Sequence, residues 1–439
     1  MTDTAATTED GAAAHTEDGA AAHTEDDVAG RVDAALAEIF LTPEGHADPY
    51  ARYALIHELA PVHESSNGDV FLARYDDCRA LLRDNRFGKA FDPDRGVPNN
   101  ADAEAIAYRR ARSEQTRDAP RSMLALNPPD HTRIRSLVSR AFTPRRVERL
   151  RGRIEALAEE RFDEMAERRE LDLLEVCAFP LPVAVIGELV GVPRADWGRF
   201  RSLMSAAVMS LETGATRDEL EAAEQAGREV WRYFTDLVAH KRREPGDDLI
   251  SAMLEVEDGG DTLSEGELIA SANLMFAAGF ETTTNLIGNG VVALLRHPDQ
   301  LARLRAEPDL ASSAVEEMLR YDSPVQLDSR TAFETTDVAG VEVPKGRRVV
   351  TLLGAANHDP THWSDPGRFD ITRAEGPPMS FASGIHYCLG ANLARLEGEV
   401  VVSGMLRRFA GIELTAEPVN RPRLTLRGYE SVPLRIVPA

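Results

Sequence analysis

Apolar residues recur at helical spacing through most of the chain. The longest such pattern begins with Ser264 and Glu267, which form a capping-box signature, and it continues to about Arg296. A helix this long, and rich in alanine at its middle, has to run through the centre of the molecule. The same spacing predicts helices over residues 28–41, 50–59 and 76–84, and a series of helices, interrupted by prolines, over 145–255.

Shorter segments predict a smaller β region. Asn67-Gly68 divides residues 62–73 and is a strong hairpin signal. Residues 85–127 are irregular except for a helix over 101–112, and so long a connection is typical of a lid over a site. Further strands are predicted at 324–327, 331–333, 341–343 and 349–353, with turns at Gly340 and Gly346, and again within 412–437. The pattern predicts a mainly α fold with a smaller β region.

The N-terminal segment differs from the rest of the chain in composition. Residues 1–27 contain eight acidic residues, no lysine or arginine, and the octapeptide T-E-D-G-A-A-A-H twice, followed by a third start. Such a segment buries too little apolar surface to offset the entropy of ordering, so we expect a disordered acidic tail over 1–27. Residues 28–439 have the composition of a folded unit, which by length is one large domain or two.

Charge and cysteine content disfavour a nucleic-acid-binding protein, a disulfide-stabilised protein and a zinc protein. The net charge of −23 disfavours binding to nucleic acid through a basic face. Cys78, Cys177 and Cys388 are far apart, which disfavours a disulfide framework or a zinc site and is consistent with a reducing compartment. The sequence contains neither an apolar run of about 18 residues nor a signal-peptide pattern. We therefore expect a cytoplasmic protein without a membrane span.

One cysteine lies in a distinctive loop. Residues 381–390 are F-A-S-G-I-H-Y-C-L-G, and the apolar residues after Cys388 fall on one helical face. The sulfur would then precede a helix N-terminus, where free N–H groups and the helix dipole lower the pKa of a thiol. Gly384 and Gly390 would let the backbone approach a flat, bulky group, and Phe381 could screen the sulfur from water. The alternatives are a nucleophile, a metal ligand or an inert buried cysteine.

The middle of the long helix, residues 277–283, is A-A-G-F-E-T-T. Gly279 is a poor helix former, and the Thr282 hydroxyl can bond to the carbonyl of Ala278 four residues back. A helix loosened there would form a groove for a diatomic ligand beside the carboxylate of Glu281. The alternative is close packing of small residues with a solvent-facing glutamate.

Two charged pairs are ambiguous by themselves. His131 and Arg135 lie four residues apart behind Asn127-Pro128-Pro129, with Asp130 as a candidate helix cap, and they form either an exposed basic face or an anion site. Glu317 and Arg320 lie three apart, and alone they would be surface charges of little energetic value.

The Cys388 loop resembles the haem-binding loop of the cytochromes P450. Every fixed position of the family pattern is filled, and the loop departs only at Ala382, where many members have glycine. The other motifs resemble family motifs in the same order, with Glu281 where many bacterial members have aspartate. The resemblance implies haem b lying between the long helix and the helix after Cys388, with Cys388 as the iron ligand. It further implies roles for Phe381, Gly384, His386 and Gly390 in the loop, for His131, Arg135, Arg330 and His386 at the propionates, for Ala278, Gly279, Glu281 and Thr282 in oxygen activation, and for Glu317 and Arg320 linked to Arg368.

The function implied is monooxygenation in a single domain over 28–439. One atom of O₂ would be inserted into a small or medium apolar substrate such as a secondary metabolite, terpenoid or steroid, with electrons from a ferredoxin or flavodoxin and an NAD(P)H reductase. A peroxide-driven hydroxylase and a non-catalytic haem protein are the alternatives, and the presence of Glu281 and Thr282 argues against both. The resemblance suggests as pocket residues Phe91, Met209, Phe276, Ala277, Phe280, Val325, Leu327 and Tyr429.

Overall fold

The computed structural model describes residues 17–90, 103–212, 214–257 and 260–438. Helices dominate this part of the chain. The α-helices are, in order, α1 Glu17–Leu41, α2 Pro43–Ala47, α3 Tyr50–Leu59, α4 Tyr75–Arg83, α5 Ala103–Gln115, α6 Asp130–Ala141, α7 Pro144–Glu148, α8 Arg151–Arg168, α9 Pro180–Val190, α10 Phe200–Ala207, α11 Arg217–Arg243, α12 Leu249–Glu255, α13 Glu265–Arg296, α14 Pro298–Ala306, α15 Ala311–Tyr321, α16 Leu353–Ala356 and α17 Ala391–Arg408.

Within the described residues, the strands form four small sheets. They are β1 Val62–Glu64, β2 Val70–Leu72, β3 Phe87–Gly88, β4 Glu170–Asp172, β5 Asp328–Ala332, β6 Thr336–Val338, β7 Val341–Val343, β8 Arg348–Thr351, β9 Phe409–Leu414, β10 Val419–Asn420, β11 Tyr429–Ser431 and β12 Pro433–Pro438. The largest sheet has the order β1-β2-β8-β5-β3, in which only the β2–β8 pair is parallel. A second sheet has the order β4-β12-β9, and β6–β7 and β10–β11 form two-stranded pairs.

The largest sheet is apolar on both faces at its strands β2 and β8. Val70 and Leu72 of β2 pack with Val349 into one cluster, while Phe71 between them packs with Val350 against α1 and α3. This division follows from the alternation of side chains along a strand. The sheet is therefore buried between two parts of the core.

Helix α13 is the central element. Its N-terminus carries the predicted capping box, in which Ser264 N–H donates to the Glu267 carboxylate at 2.9 Å and Glu267 N–H donates to Ser264 Oγ at 3.4 Å. The helix is buried on nearly all sides, where it packs against α9, α11, α15 and α17. Gly279 permits the close approach of α9, since a Cβ there would lie 2.8 Å from Ile186.

Several sequence predictions match these elements. The hairpin at Asn67-Gly68 is present, with Gly68 at φ 85°, and β7 and α3 have the predicted bounds. Helix α1 differs from the prediction, because it begins at Glu17, eleven residues before the predicted start and within the segment 1–27 that was expected to be disordered. Residues 1–16 of that segment lie outside the described residues.

Other predictions were wrong in detail. Residues 324–327 form only an isolated bridge from Val325 to Leu426, because the segment pairs with the C-terminal region instead of continuing a ladder. Asp130 is the first residue of α6 and Pro129 occupies the cap position, so the predicted cap is absent. Strand β4 interrupts the helices predicted over 145–255, because it pairs with β12, more than 260 residues later.

Candidate active site

The Cys388 loop places its sulfur just before α17. Two short 3₁₀ turns, Met379–Phe381 and Gly384–His386, fold the loop back on itself. The N–H of Cys388 donates to the carbonyl oxygen of Phe381 at 3.1 Å, and the N–H of Tyr387 donates to that of Gly384 at 3.1 Å. These bonds hold the thiol at the loop end that leads into the helix.

The two glycines of the loop have different surroundings. Gly384 has φ 71°, and a Cβ there would overlap the carbonyl oxygen of Leu82 in α4. Gly390 has only the sulfur of Cys388 near its Cβ position, at 4.0 Å. Gly384 is therefore required by backbone packing against α4, whereas the space beside Gly390 lies at the sulfur.

Ala382 is the strained position of the loop. Its φ of 57° and ψ of −156° lie close to a region that is essentially restricted to glycine. Ala382 therefore stands, in place of the glycine of many family members, at a position where the backbone disfavours any L side chain.

The electrostatics of the sulfur differ from expectation. Burial raises the pKa of the Cys388 thiol, while the N–H of Gly390 and the charges of Arg135 and Arg395 act in the opposite direction. The predicted net lowering of the pKa was wrong for the polypeptide alone, because desolvation outweighs the helix N-terminus. A coordinated metal ion reverses this balance, since it deprotonates a bound thiol.

A basic cluster lies next to the loop. The rings of His131 and His386 lie 4.3 Å apart between centroids. Arg135 donates to the carbonyl oxygen of Tyr387 at 2.5 Å. Arg330 donates through Nη1 to Asp328 at 2.7 Å, and its charge acts on both histidines. The predicted set from α6, β5 and the loop is therefore brought together.

Several buried nitrogens of this cluster lack partners within the described residues. They are both ring nitrogens of His131, Nε2 of His386 and Nη2 of Arg330. Burial first, then Arg330 and His131, lowers the pKa of His386 to about 3. Burial first, then Arg135 and Arg330, also lowers the pKa of His131. A site that combines the charges of Arg135 and Arg330 with the unpartnered nitrogens of two neutral histidines is complementary to carboxylates.

The middle of α13 has an opening on one face. The Thr282 hydroxyl donates to the Ala278 carbonyl at 2.8 Å, as predicted, although the helix remains α-helical through this turn. The structure describes every residue from Leu268 to Leu294, and among these only Ala278 is exposed. Ala278 and Thr282 lie four residues apart on one face, so they border a space within an otherwise buried helix.

Glu281 lies on a different face of α13. Its carboxylate is buried and forms an ion pair with Arg421, and Nη1 of Arg423 lies 3.9 Å away. Arg421 also lies 3.5 Å from Oδ1 of Asn285. Sequence reasoning missed both arginines, which lie about 140 residues after Glu281 and carry no motif.

The Glu317–Arg320 pair is buried, contrary to the prediction for the pair alone. Arg320 donates to both carboxylate oxygens of Glu317, and Arg373 lies 3.2 Å from the same carboxylate. The prediction of Arg368 as the third member was wrong. Its side chain is exposed and it contributes only its carbonyl oxygen to Arg320, because the chain turns between the two arginines.

Comparison with known proteins decides the family. The family model "Cytochrome P450" matches residues 213–427. Cytochrome P450 107B1 of Saccharopolyspora erythraea is 43% identical over 396 residues, covering 88% of this chain and 95% of that protein. The chain belongs to the cytochrome P450 family. The 6-deoxyerythronolide B hydroxylase of the same organism is 40% identical over 401 residues, covering 89% and 96% of the two chains. The solved structure of the Bacillus subtilis bacillaene polyketide synthase cytochrome P450 PksS has a TM-score of 0.78 at 38% identity, covering 90% and 98%.

As a cytochrome P450, the protein is a haem-dependent monooxygenase, and its residues fit the cofactor. Haem b carries two propionate carboxylates and an iron that accepts a thiolate. The unpartnered donors of His131, Arg330 and His386 and the thiol of Cys388 supply both kinds of group. None of the described helices is long and apolar enough to cross a membrane.

The pocket suggested for this cytochrome P450 is only partly accessible. Phe276 and Phe280 are fully buried in the core, where they pack against Phe200 and Phe179, so the prediction that they line an open pocket was wrong. Tyr429 is buried against α13 near Gly288. Phe91 lies outside the described residues, and the partly exposed candidates are Met209, Ala277, Val325 and Leu327.

Proposed function

We propose that this protein inserts one atom of O₂ into an apolar secondary metabolite at the face of α13 bordered by Ala278 and Thr282. The observation that carries the proposal is the opening at these two residues, where a hydroxyl stands at an exposed turn of an otherwise buried helix. An apolar helix face with one hydroxyl suits a ligand that is apolar apart from its reacting oxygen.

Cys388 is the proposed iron ligand, and the basic cluster is the proposed propionate site. Gly384 and the bond from Cys388 N–H to Phe381 orient the sulfur, and Phe381 is buried beside it. Arg135 and Arg330 supply charge, and His131 and His386 supply additional donors. When bound, the haem supplies the oxidation chemistry, and a thiolate ligand to its iron favours O–O cleavage.

Thr282 and Glu281 are the proposed proton-handling residues. Thr282 Oγ1 donates its proton to Ala278, so its lone pairs are free to accept a hydrogen bond from a water or from an O–H group in the opening. Glu281 can move protons inward from the side of α13 on which Arg421 and Arg423 lie. Adjacent helix positions point about 100° apart, so a water is needed between the two side chains.

The substrate class is proposed from the relatives. One relative is named a 6-deoxyerythronolide B hydroxylase, and a solved neighbour belongs to a bacillaene polyketide synthase system. We infer an apolar polyketide as the first class to test, with terpenoids and steroids as alternatives. Electrons would come from a separate ferredoxin or flavodoxin and its NAD(P)H reductase.

A two-part experiment tests this proposal. Polyketides, terpenoids and steroids of similar size are titrated against the holoenzyme, and binding in the pocket should shift the haem from low to high spin. A compound that binds is then incubated with ¹⁸O₂, NAD(P)H and a ferredoxin chain, and the product should carry one ¹⁸O atom. Product formed only with added peroxide would favour the peroxide-driven alternative.

The ligand assignment has its own test. The reduced carbon monoxide complex should show the red-shifted Soret band of a thiolate-bound haem, and Cys388→Ala should lose it. Cys177→Ala is the matched control, since that thiol is also buried and its pKa is raised to about 12 by burial. An unchanged band in Cys388→Ala would refute the assignment.

A further inference from the structure

Glu281 of α13 is paired with residues that lie far outside its motif, residues 277–283. Glu281 is buried, and its ion-pair partners Arg421 and Arg423 both come from the C-terminal segment 421–426. Arg421 is within hydrogen-bonding distance of the carboxylate, whereas Arg423 lies 3.9 Å away and its Nη1 is buried without a hydrogen-bond partner in the described residues. Arg421 is therefore the principal partner of Glu281.

The segment 421–426 is itself bonded to α10 and to Glu212, which follows α10. The buried carboxylate of Glu212 accepts N–H groups from Leu424, Thr425 and Leu426 at 3.1 to 3.3 Å. Arg423 donates through Nη2 to the carbonyl oxygen of Ser205 at 3.1 Å. These bonds leave Arg421 little freedom to follow Glu281 if the carboxylate turns.

We propose that Arg421 is a positioning residue for oxygen activation, which holds the Glu281 carboxylate on the helix face turned away from Thr282. A buried carboxylate that loses its ion-pair partner is strongly destabilised, so Glu281 remains directed toward Arg421 at rest. Only water can then link the acid to the Thr282 hydroxyl. This inference rests on the proposed function, because it concerns the proton path of that reaction.

The test compares three variants of the holoenzyme with the parent. Arg421→Gln removes the charge, Arg421→Lys keeps it, and Arg435→Gln removes an exposed arginine of β12 that pairs with Glu170. Substrate binding is measured by the spin-state shift, and coupling is measured as product formed per NAD(P)H oxidised. The solvent isotope effect on turnover reports the proton path directly.

We expect Arg421→Gln to bind substrate like the parent but to form up to about tenfold less product per NAD(P)H oxidised. This loss is smaller than the rate enhancement that a well-positioned general acid usually contributes. The solvent isotope effect of Arg421→Gln should also change. Arg421→Lys should recover most of the coupling, and Arg435→Gln should match the parent. A merely structural role for Arg421 would lower stability without changing the isotope effect.

A second measurement is independent of turnover. The unfolding midpoints of Arg421→Gln, Glu281→Gln and the double variant form a cycle, and residues in direct contact should be non-additive. The double variant should be no less stable than Arg421→Gln alone, because the unpaired charge is gone. Additive midpoints, or a parent-like isotope effect in Arg421→Gln while Glu281→Gln slows turnover, would overturn the inference. In the latter case the proposed function itself would stand, since ¹⁸O incorporation tests it separately.

Discussion

The guanidinium of Arg320 donates to both carboxylate oxygens of Glu317, at 2.7 and 2.8 Å, and each side chain is only 1% exposed. Arg320 also donates to the carbonyl oxygens of Asn357 and Pro366, and Arg373 lies 3.2 Å from the Glu317 carboxylate. The pair therefore anchors α15 to the irregular segment that leads to the Cys388 loop.

Removing one partner of this buried pair should destabilise the protein strongly. We expect Glu317→Ala to lower the free energy of unfolding by about 3–5 kcal/mol, because the buried guanidinium of Arg320 loses its counter-charge, whereas Arg373 keeps Glu375 as a partner. Denaturant unfolding of the holoenzyme measures the change. Arg368→Ala is the control and should leave stability nearly unchanged, since that side chain is exposed. Equal losses in the two variants would contradict the assignment of Arg373 as the third member.

Ala382→Gly should stabilise the protein. The present φ of 57° costs an L residue about 1–3 kcal/mol, while glycine adds about 0.5–1 kcal/mol of unfolded-state entropy. We therefore expect the free energy of unfolding to rise by about 1 kcal/mol, which is measured as a higher denaturation midpoint. Ala394→Gly within α17 provides the comparison, and it should lower stability because glycine is a poor helix former. A lower midpoint in Ala382→Gly would show that the strain is absent.

The basic cluster predicts a pattern of haem retention. Arg330→Gln and Arg135→Gln should release haem faster than the parent, because each removes a charge from the proposed propionate site. Transfer of haem to apomyoglobin measures the rate. Arg133→Gln is the matched control on the same helix, since Arg133 instead pairs with Glu267 and Asp261. Three equal rates would count against the cluster as the propionate site.

His358 should make stability depend on pH. Burial first, then the charge of Arg320, lowers the pKa of His358 to about 3, and its ring bonds to the carbonyl oxygen of Tyr321 at 2.9 Å. The unfolded state then binds more protons between the folded value and about 6.5, so stability falls as the pH falls through this window. From pH 7 to pH 5 this histidine should account for a loss of about 2 kcal/mol.

The measurement for His358 is the change in unfolding free energy between pH 7 and pH 5. His358→Gln keeps an N–H donor for Tyr321 but cannot titrate. Between pH 7 and pH 5 its unfolding free energy should therefore fall by about 2 kcal/mol less than that of the parent. The exposed His240→Gln should behave like the parent. If His358→Gln keeps the parent's full pH dependence, the buried ring is not the source.

Thr282 and Glu281 should differ in the step that each one affects. Thr282→Ala should still consume NAD(P)H and O₂ but release mostly hydrogen peroxide, because the hydroxyl that orders water in the opening is lost. Glu281→Gln should slow turnover and enlarge the solvent isotope effect, because it removes a proton carrier. Product formed per NAD(P)H and the turnover rate in D₂O separate the two. Thr283→Ala serves as control, since its hydroxyl bonds to Gly279 and the residue is buried. Unchanged coupling and an unchanged rate in the first two variants would remove the pair from the mechanism.

Local signals in the sequence were enough to determine several features of this protein. The capping box of α13, the bond from Thr282 to Ala278 and the hairpin at Asn67-Gly68 each depend on residues within five positions of one another, so their geometry follows from the backbone. The Cys388 loop likewise combines its chemistry within ten residues, and its resemblance to the cytochromes P450 indicated the family, which the relatives confirm.

Tertiary structure decided which distant charges meet. Arg421 could not be assigned to Glu281, nor Arg373 to Glu317, because neither pairing has a spacing that a helix or strand imposes. Burial also reversed expectations that rested on local arguments, raising the pKa of Cys388 and placing Phe276 and Phe280 in the core. Desolvation depends on everything that packs around a group, and a linear sequence does not contain that information until the chain has folded.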